Sequence, residues 1–175
     1  ARHLVGDEPF AVLLADDLIK AETPCLRQMT DVFETAGGNV IAAMEVPDDH
    51  TSRYGIIDSG GAVGRIRPVT GLVEKPSPGT APSNLAVIGR YILTPDVFTE
   101  LERRETGAGG EIQLTDAMAK LIDRQPFHGL VFDGQRFDCG DKLGFLEANL
   151  TFALEREDLG PGAREMLARM GDISE

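Results

Sequence analysis

Short apolar runs that end in charged residues divide the first half of this chain. Residues 10–14 are continuously apolar and are followed by Asp16 and Asp17. A run this short and uniform predicts a central strand of the parallel type, buried on both faces. Between Thr23 and Gly37, apolar side chains fall on one helical face, and residues 39–46 form the next apolar run. Strand, helix and strand in this order are the unit of a parallel sheet.

Later apolar runs predict the rest of a mixed α/β arrangement. Strands are expected over residues 53–58, 63–73, 85–93 and 129–133. Helices are expected over residues 95–104, after Thr115 and Asp141 as N-caps, and after Pro161. In the helix after Asp141, the leucines at positions 143, 146, 150 and 154 are expected to face inward. No linker divides the sequence, so residues 1–175 are predicted to form a single domain.

The charge balance restricts the partners. The chain carries 17 Lys and Arg against 29 Asp and Glu, a formal net charge of −12. Nucleic acid is excluded as a partner, because phosphate backbones are bound by basic surfaces. Membrane insertion is not expected either, since no apolar stretch is long enough to span a bilayer. The two cysteines, Cys25 and Cys139, do not indicate a disulfide scaffold, and a reduced cytoplasmic location is expected.

Two of the apolar runs end in residues that suit phosphate and metal chemistry. Asp16 follows the first run, and Glu74-Lys75-Pro76 follows residues 69–73. Open α/β sheets bind ligands at the carboxyl ends of their strands. Asp16 is therefore either a solvated strand end or a ligand for Mg²⁺, which takes one or two carboxylates plus substrate phosphates. Glu74 and Lys75 either form a surface ion pair or bind a sugar hydroxyl and a phosphate, respectively.

A third polar signature is Asp138-Cys139-Gly140, directly before the predicted helix at Asp141. Asp138 is either a turn residue or a second metal ligand that meets Asp16 in space. Cys139 has no base partner in the sequence pattern and is interpreted as structural. The three histidines match no zinc spacing.

Six segments occur in one order over most of the chain: residues 6–19, 54–58, 71–76, 81–93, 110–116 and 138–144. In wording and order they resemble the bacterial UDP-glucose pyrophosphorylases, also called UTP–glucose-1-phosphate uridylyltransferases. The related dTDP-glucose enzymes share the general layout, so a thymidylyltransferase relative is the alternative.

This resemblance implies a Rossmann-like nucleotide-diphospho-sugar transferase fold, with a mixed, mostly parallel sheet flanked by helices. It implies Mg²⁺-dependent transfer of UMP from UTP to glucose 1-phosphate, giving UDP-glucose and pyrophosphate, in a homo-oligomeric enzyme. The catalytic residues would be Asp16 and Lys75, and the metal would be held by Asp16 and Asp138. For substrate binding, the resemblance implies that Glu74 binds glucose hydroxyls and Lys75 binds the sugar phosphate. Gly55 and the region of Val87 would line the sugar pocket.

The sequence departs from the family pattern at its beginning. The opening βα unit, which holds the glycine-rich nucleotide loop, is absent, so the fold is expected to be truncated at the N-terminus. One side of the strand at residues 10–14 should then be unpaired. Two hypotheses remain: the sugar-side part of a uridylyltransferase, inactive by itself, or a non-catalytic sugar-phosphate-binding or oligomerisation fragment.

Overall fold

The structure, a computed structural model, describes residues 1–107 and 110–171. Its elements fall into two compact units, the first made of Ala1–Leu14 and Ala21–Gly134, the second of Ala15–Lys20 and the residues from Gln135 onward. The helices are α1 Arg2–Val5, α2 Cys25–Ala36, α3 Asp96–Leu101, α4 Leu114–Ala119, α5 Lys142–Glu155 and α6 Gly160–Gly171. The strands are β1 Phe10–Leu13, β2 Asp17–Lys20, β3 Asn39–Glu45, β4 Gly55–Asp58, β5 Ile66–Pro68, β6 Gly71–Glu74, β7 Leu85–Leu93, β8 Phe127–Val131 and β9 Gln135–Asp138. A 3₁₀ helix covers Asp48–Arg53.

Strand β7 organises the first unit. It pairs with β3 along one edge, and with β1 and β4 on the other, in a sheet of order β5-β8-β3-β7-β4-β6. Eight of its nine residues are buried, which explains why residues 85–93 were readable as a long apolar strand. The pair β3–β8 is parallel, and the other adjacent pairs are antiparallel. The expected mixed α/β arrangement is confirmed, but among the described strands parallel pairing is confined to β3–β8, so this sheet is mixed rather than mostly parallel.

The expectation for residues 10–14 is wrong in one respect and right in another. β1 is not a central strand buried on both faces: its residues alternate between half-buried and exposed, and its pairing among the described strands is with β7 alone. The expected unpaired side is therefore present. β1 and β3 do run in the same direction, because both are antiparallel to β7, but β7 lies between them.

The sheet of the first unit is curled. Residues 63–73 were expected to form one strand, but β5 pairs with β8 and β6 pairs with β4, at opposite ends of the strand order. Two residues join the ends: Val69 N–H donates to Phe127 O at 2.9 Å, and Thr70 N–H donates to Asp58 O at 2.8 Å. Side chains on the inner face, with those of α3 and α4, form the core, which includes Ile41, Ile57, Leu85, Leu93, Val97, Met118 and Leu121.

Helix α2 lies between β2 and β3 in the chain and packs against β3, β7 and β8 of the sheet. Cys25, Met29 and Val32 recur at helical spacing and are its buried residues. The helix ends where Gly37 takes a φ of 69°, a conformation that glycine adopts without steric cost. Burying each such large apolar side chain stabilises the fold by about 1.5–3 kcal/mol.

The second unit consists of the β2–β9 ribbon and helices α5 and α6. The expected cap is confirmed, because Asp141 Oδ1 accepts from Leu143 N at 2.9 Å and from Gly144 N at 3.2 Å. The expectation of inward leucines is wrong for Leu143 and Leu146, which are 75% and 52% exposed, whereas Leu150 and Leu154 are half-buried. Ala148 is the buried residue of α5, and the tilted contact between Phe137 and Phe152 joins the ribbon to the helix. Among the described helices, none is long and apolar enough to cross a bilayer.

Candidate active site in two clusters

The first cluster of predicted site residues lies where β4 and β6 pair in the first unit. Gly55 and Glu74 are direct cross-strand partners. A Cβ at position 55 would lie 3.0 Å from Glu74 Oε2, which is closer than side chains ordinarily pack. The glycine therefore leaves a small recess beside a carboxylate whose side chain is 12% exposed. Such a carboxylate can accept hydrogen bonds from the hydroxyls of a sugar.

Thr115 belongs to the same cluster, although the sequence analysis did not identify it as a site residue. It was expected to cap α4, but Gln113 holds the N-cap position without a side-chain cap, and Thr115 lies within the first turn. Its residue is buried, and Oγ1 lies 3.3 Å from the Cβ position of Gly55. Thr115 lies in the segment 110–116, one of the six that carry the family resemblance, but no local pattern shows that this turn packs against β6.

Lys75 follows Glu74 in an unusual backbone conformation. Its φ is 45°, in the left-handed region that non-glycine residues seldom occupy, and its N–H donates to Tyr54 O at 3.0 Å. The ammonium is 3.8 Å from Glu74 Oε1, and the side chain is 55% exposed. Strained residues of this kind cluster at ligand sites. The lysine is held loosely enough by Glu74 to pair with an incoming phosphate.

Val87 lies deeper than the other predicted site residues. Its residue is 8% exposed and belongs to the core, together with Ala117 and Met118 of α4. It follows Ala86, the β7 residue that pairs with Ile56. Val87 therefore lies on the strand next to the one that carries Gly55, where it is part of the core that packs behind the cluster.

The second cluster brings the two predicted metal residues together within the second unit. A Cβ at Gly140 would lie 3.2 Å from Asp138 Oδ1 and 3.3 Å from Asp16 Oδ2. Glycine thus leaves a space, called here the Gly140 niche, that is bordered by two carboxylate oxygens. Cys139 N–H donates to Asp16 O at 2.7 Å, which fixes the backbone of Asp16 against this turn.

Local sequence explains how the Gly140 niche is built. Asp138 ends β9, and its Oδ1 accepts from Gly140 N at 3.2 Å, as in an Asx turn. Asp141 then caps α5. Gly144 in the first turn of α5 meets the carbonyl of Asp138 so closely that a Cβ could not fit there. The sequence Asp-Cys-Gly-Asp-Lys-Leu-Gly is therefore a compact turn that fixes one carboxylate between a strand end and a helix start.

Two further charged residues, Asp17 and Arg136, neighbour Asp138 and were given no role in the sequence analysis. Asp17 pairs directly with Asp138 across the β2–β9 ribbon, so two like charges face each other. Arg136 contacts both, through Nε to Asp17 Oδ1 and through Nη2 to Asp138 Oδ2 at 3.3 Å. A strand over residues 135–138 was not predicted, so its register with β2 could not be inferred.

The donor set of the Gly140 niche fits Mg²⁺. Two carboxylates border a space that no side chain fills, and Mg²⁺ is usually held by one or two carboxylates together with waters and substrate phosphates. Within residues 1–107 and 110–171, no group of three or more His, Cys, Asp or Glu side chains is placed to hold a metal. A dedicated all-protein cage for zinc or calcium is thus not found in that part of the chain.

The two cysteines are free thiols. Burial raises the pKa of Cys25 to about 11, although the charge of Arg90 partly opposes this rise. A thiol with this pKa stays protonated and unreactive near neutral pH. Cys25 therefore acts as a packing residue of α2.

Comparisons with known proteins identify the family to which this chain belongs. The nucleotidyl transferase family model matches residues 1–155. A UTP–glucose-1-phosphate uridylyltransferase of Bacillus subtilis (strain 168) is 52% identical over 159 residues, which are 91% of this chain and 54% of that protein. The one from Komagataeibacter xylinus is 53% identical over 143 residues, 82% of this chain and 50% of that protein. The chain thus spans about half the length of these curated relatives.

Solved structures of UDP-glucose pyrophosphorylases are also similar to this chain. A UDP-glucose pyrophosphorylase complexed with UDP-glucose superimposes with a TM-score of 0.83 at 40% identity, over 89% of this chain and 60% of that one. A UTP-bound enzyme from Acinetobacter baumannii gives a TM-score of 0.85 at 37% identity, over 95% of this chain and 58% of that one. The family inferred from the sequence motifs and the nucleotidyltransferase fold are therefore confirmed. This chain belongs to the nucleotidyl transferase family, among relatives that are UTP–glucose-1-phosphate uridylyltransferases.

Proposed function

We propose that this chain is the sugar- and metal-binding part of a Mg²⁺-dependent enzyme that makes UDP-glucose and pyrophosphate from UTP and glucose 1-phosphate. The observation that carries the proposal is the placement of two glycines, each of which opens a space beside carboxylate oxygens. Gly55 opens one beside Glu74, and Gly140 opens one between Asp16 and Asp138. Relatives that are 52% and 53% identical to this chain are uridylyltransferases, which supports the same activity.

The first cluster would hold the sugar phosphate. Glu74 would accept hydrogen bonds from sugar hydroxyls in the recess beside Gly55, with the Thr115 hydroxyl at its other wall. Lys75, whose ammonium is half exposed, would pair with the phosphate as a point charge. Val87 would support the recess from the core rather than touch the phosphate.

The second cluster would hold the cation. Asp16 and Asp138 would each offer an oxygen at the Gly140 niche. When bound, Mg²⁺ would supply positive charge that neutralises the phosphates during nucleotidyl transfer. The turn that follows β9 would fix the position of that charge, because Gly140 N donates to the Asp138 carboxylate and Cys139 N donates to the main-chain oxygen of Asp16.

The same proposal includes a homo-oligomeric, cytoplasmic enzyme. Large apolar side chains are exposed along α5 and α6, which supports association with a second copy. Two free cysteines without a disulfide support a reducing compartment.

The test is the substitution Asp16→Asn in the full-length protein that contains this chain. It removes the charge and keeps the shape, so we expect kcat to fall on the order of 10³-fold, as for the loss of several kcal/mol of charge stabilisation. Turnover would be measured by pyrophosphate release with UTP, glucose 1-phosphate and Mg²⁺. The matched control is Asp7→Asn, an exposed carboxyl outside both clusters. Full turnover by Asp16→Asn with an unchanged Mg²⁺ requirement would contradict the proposal.

A further inference from the structure

Arg136 connects the Gly140 niche to a buried carboxylate. Its side chain is 12% exposed, and that of Asp17 is 7% exposed. The guanidinium donates from Nε to Asp17 Oδ1, while Nη2 lies 3.3 Å from Asp138 Oδ2. A planar guanidinium fixed at one end by a buried partner has little freedom at the other. Arg136 at Oδ2 and the Gly140 N–H at Oδ1 therefore hold the Asp138 carboxylate by both of its oxygens.

The two oxygens of Asp138 consequently have different environments. Oδ2 faces the positive charge of Arg136. Oδ1 accepts from Gly140 N at 3.2 Å and borders the niche opposite Asp16 Oδ2. A carboxylate oxygen that accepts one hydrogen bond still has a lone pair for a cation. One oxygen of Asp138 is thus available to the niche, and the other is occupied by the arginine.

We propose that Arg136 makes the Asp16–Asp138 pair selective for Mg²⁺ over Ca²⁺ by restricting Asp138 to ligation through one oxygen. This inference rests on the proposed function, in which these two aspartates hold the cation. Mg²⁺ is small, requires nearly ideal octahedral geometry and is served by single carboxylate oxygens and water. Ca²⁺ takes six to eight oxygens and readily accepts both oxygens of a carboxylate. Arg136 is a positioning residue in this scheme, because it acts through Asp138.

Charge alone cannot produce this selectivity. The guanidinium repels both cations by the same amount at equal distance, because both are divalent. Removing it changes the affinities for Mg²⁺ and Ca²⁺ in parallel, whereas releasing the second oxygen of Asp138 favours Ca²⁺. The ratio of the two affinities therefore isolates the positioning effect from the electrostatic effect.

The test variant must keep the fold intact. Arg136→Met alone would take the cation away from the buried Asp17 carboxylate, and breaking a buried ion pair on one side is strongly destabilising. The double variant Arg136→Met/Asp17→Asn avoids this, because residue 17 is then neutral. Asp17→Asn alone is the matched control, since the amide oxygen still accepts from Arg136 and the arginine stays beside Asp138. Arg156→Met is a second control, an arginine of the same unit that pairs with Asp158 instead.

The measurement uses the complete chain and Mn²⁺ as the probe. The electron paramagnetic resonance signal of free Mn²⁺ gives the bound fraction, and the part lost in Asp16→Asn belongs to the niche. Mg²⁺ or Ca²⁺ is then added to displace this Mn²⁺, and the ratio of the two midpoints is the selectivity. Circular dichroism verifies that each variant is folded.

We expect the Mg²⁺-over-Ca²⁺ selectivity to fall about tenfold in the double variant, the lower end of the range for losing a group that orients a metal ligand. Both controls should keep the wild-type ratio. An unchanged ratio in the double variant, or an equal fall in Asp17→Asn alone, overturns the inference and leaves the metal site standing. If wild type shows no Mn²⁺ binding that depends on Asp16, both the inference and the proposed metal site fail.

Discussion

At the scale of single residues, Gly55 gives the clearest prediction for substrate binding, because it has no Cβ beside Glu74. We expect Gly55→Ala in the full-length protein to raise KM for glucose 1-phosphate roughly tenfold or more, because the new Cβ crowds Glu74 Oε2 and a hydrogen bond to a charged group contributes about 1.5–3 kcal/mol. Steady-state kinetics with each substrate varied in turn would measure this. Gly162→Ala is the control, since a Cβ there meets nothing within 4 Å. Equal rises in KM for UTP and glucose 1-phosphate would contradict the assignment.

Lys75 provides the second test at this scale. The Lys75→Ala variant should bind UDP-glucose more weakly by about 1.5–3 kcal/mol, the usual loss for a charge-assisted hydrogen bond. Its own ion pair with Glu74 is 3.8 Å long and half exposed, so losing that pair should hardly change stability. Calorimetry of UDP-glucose binding, with thermal unfolding in parallel, separates the two effects. Wild-type affinity in this variant would mean that the lysine is only a surface charge.

Glu100 links a single carboxyl group to the pH dependence of stability. The hydrogen bond from Arg124 holds the pKa of this buried carboxyl below its ordinary value of 4.5, with the nearby Arg103 acting in the same direction. A carboxyl with a lowered folded-state pKa stabilises the protein above its unfolded-state pKa. The contribution disappears as the pH falls through the folded-state value. We expect Glu100→Gln to be less stable than wild type at pH 7 and the gap to close below pH 4.5, as measured by urea unfolding.

At the scale of helices and strands, the elements that depend on local chemistry were predictable. Residues 85–93 form β7 as expected, and Asp141 caps α5 as expected. Both could be predicted because an apolar run and a helix cap depend only on residues that are neighbours in the sequence. The position of β1 was not predictable, because it depends on which strands are present to cover it. The strand over residues 135–138 was missed for the same reason: its partner β2 is more than 100 residues away in sequence.

The site residues divide in the same way, into those that a local sequence pattern indicates and those that only tertiary packing brings to the site. Asp16 and Glu74 were identified because each follows an apolar run, and Asp138 because it lies directly before a predicted helix. The structure places Asp16 beside Asp138 and Glu74 beside Gly55. Thr115 and Arg136 were missed, because their roles come from tertiary packing and from the register of β9. The leucines of α5 were assigned inward by spacing alone, yet spacing cannot show whether a partner exists to cover them.

Asp141 allows a test at the scale of one helix. Replacing it by alanine removes the acceptor for Leu143 N and Gly144 N, so we expect Asp141→Ala to destabilise the second unit by about 1 kcal/mol. Hydrogen exchange of α5 amides would measure this locally. Glu165→Ala, which removes an exposed acid from α6, should leave that exchange unchanged. Unaltered protection of α5 in Asp141→Ala would mean that packing alone fixes the helix start.

At the scale of the whole molecule, exposed apolar side chains indicate association. In the second unit they are Leu18 of β2 and, in the helical part, Leu143, Phe145, Leu146, Phe152, Leu159, Met166 and Met170. Glu147 is the single charged residue between Leu143 and Ala153, although the chain carries a net charge of −12. A surface this poor in charge is where two acidic copies repel each other least. We therefore expect the chain to form dimers or larger oligomers through α5, and more strongly at high salt.

Light scattering coupled to size exclusion would measure this association. The double variant Phe145→Glu/Leu146→Glu should lower the mass toward 18.9 kDa, the value of one chain. The control is Leu4→Glu, because Leu4 is 81% exposed but lies in the first unit. A second comparison, Leu13→Lys, alters the unpaired side of β1. If Leu13→Lys dissociates the oligomer and the α5 variant does not, the strand edge is the contact.

The largest functional expectation is that the 175 residues alone do not make UDP-glucose. Nucleotidyl transfer depends on positioning and on neutralising phosphate charge, and a nucleotide triphosphate is usually cradled by backbone N–H groups of a glycine-rich loop at a helix N-terminus. The sequence contains no such loop, and within residues 1–107 and 110–171 Lys75 is the cation that lies beside the proposed sugar-phosphate site. The relatives that carry the activity are about twice as long.

A coupled pyrophosphate-release assay would decide this last point. The chain, verified by mass, would be given UTP, glucose 1-phosphate and Mg²⁺, with the full-length protein as the positive control. We expect no turnover, together with measurable binding of UDP-glucose that Glu74→Gln weakens, because the recess at Gly55 lies wholly within the first unit. Binding without turnover would assign the sugar phosphate to this part and the triphosphate cradle to another. Robust turnover would instead mean that the residues that neutralise the triphosphate are within these 175 and that the role given to Lys75 is incomplete.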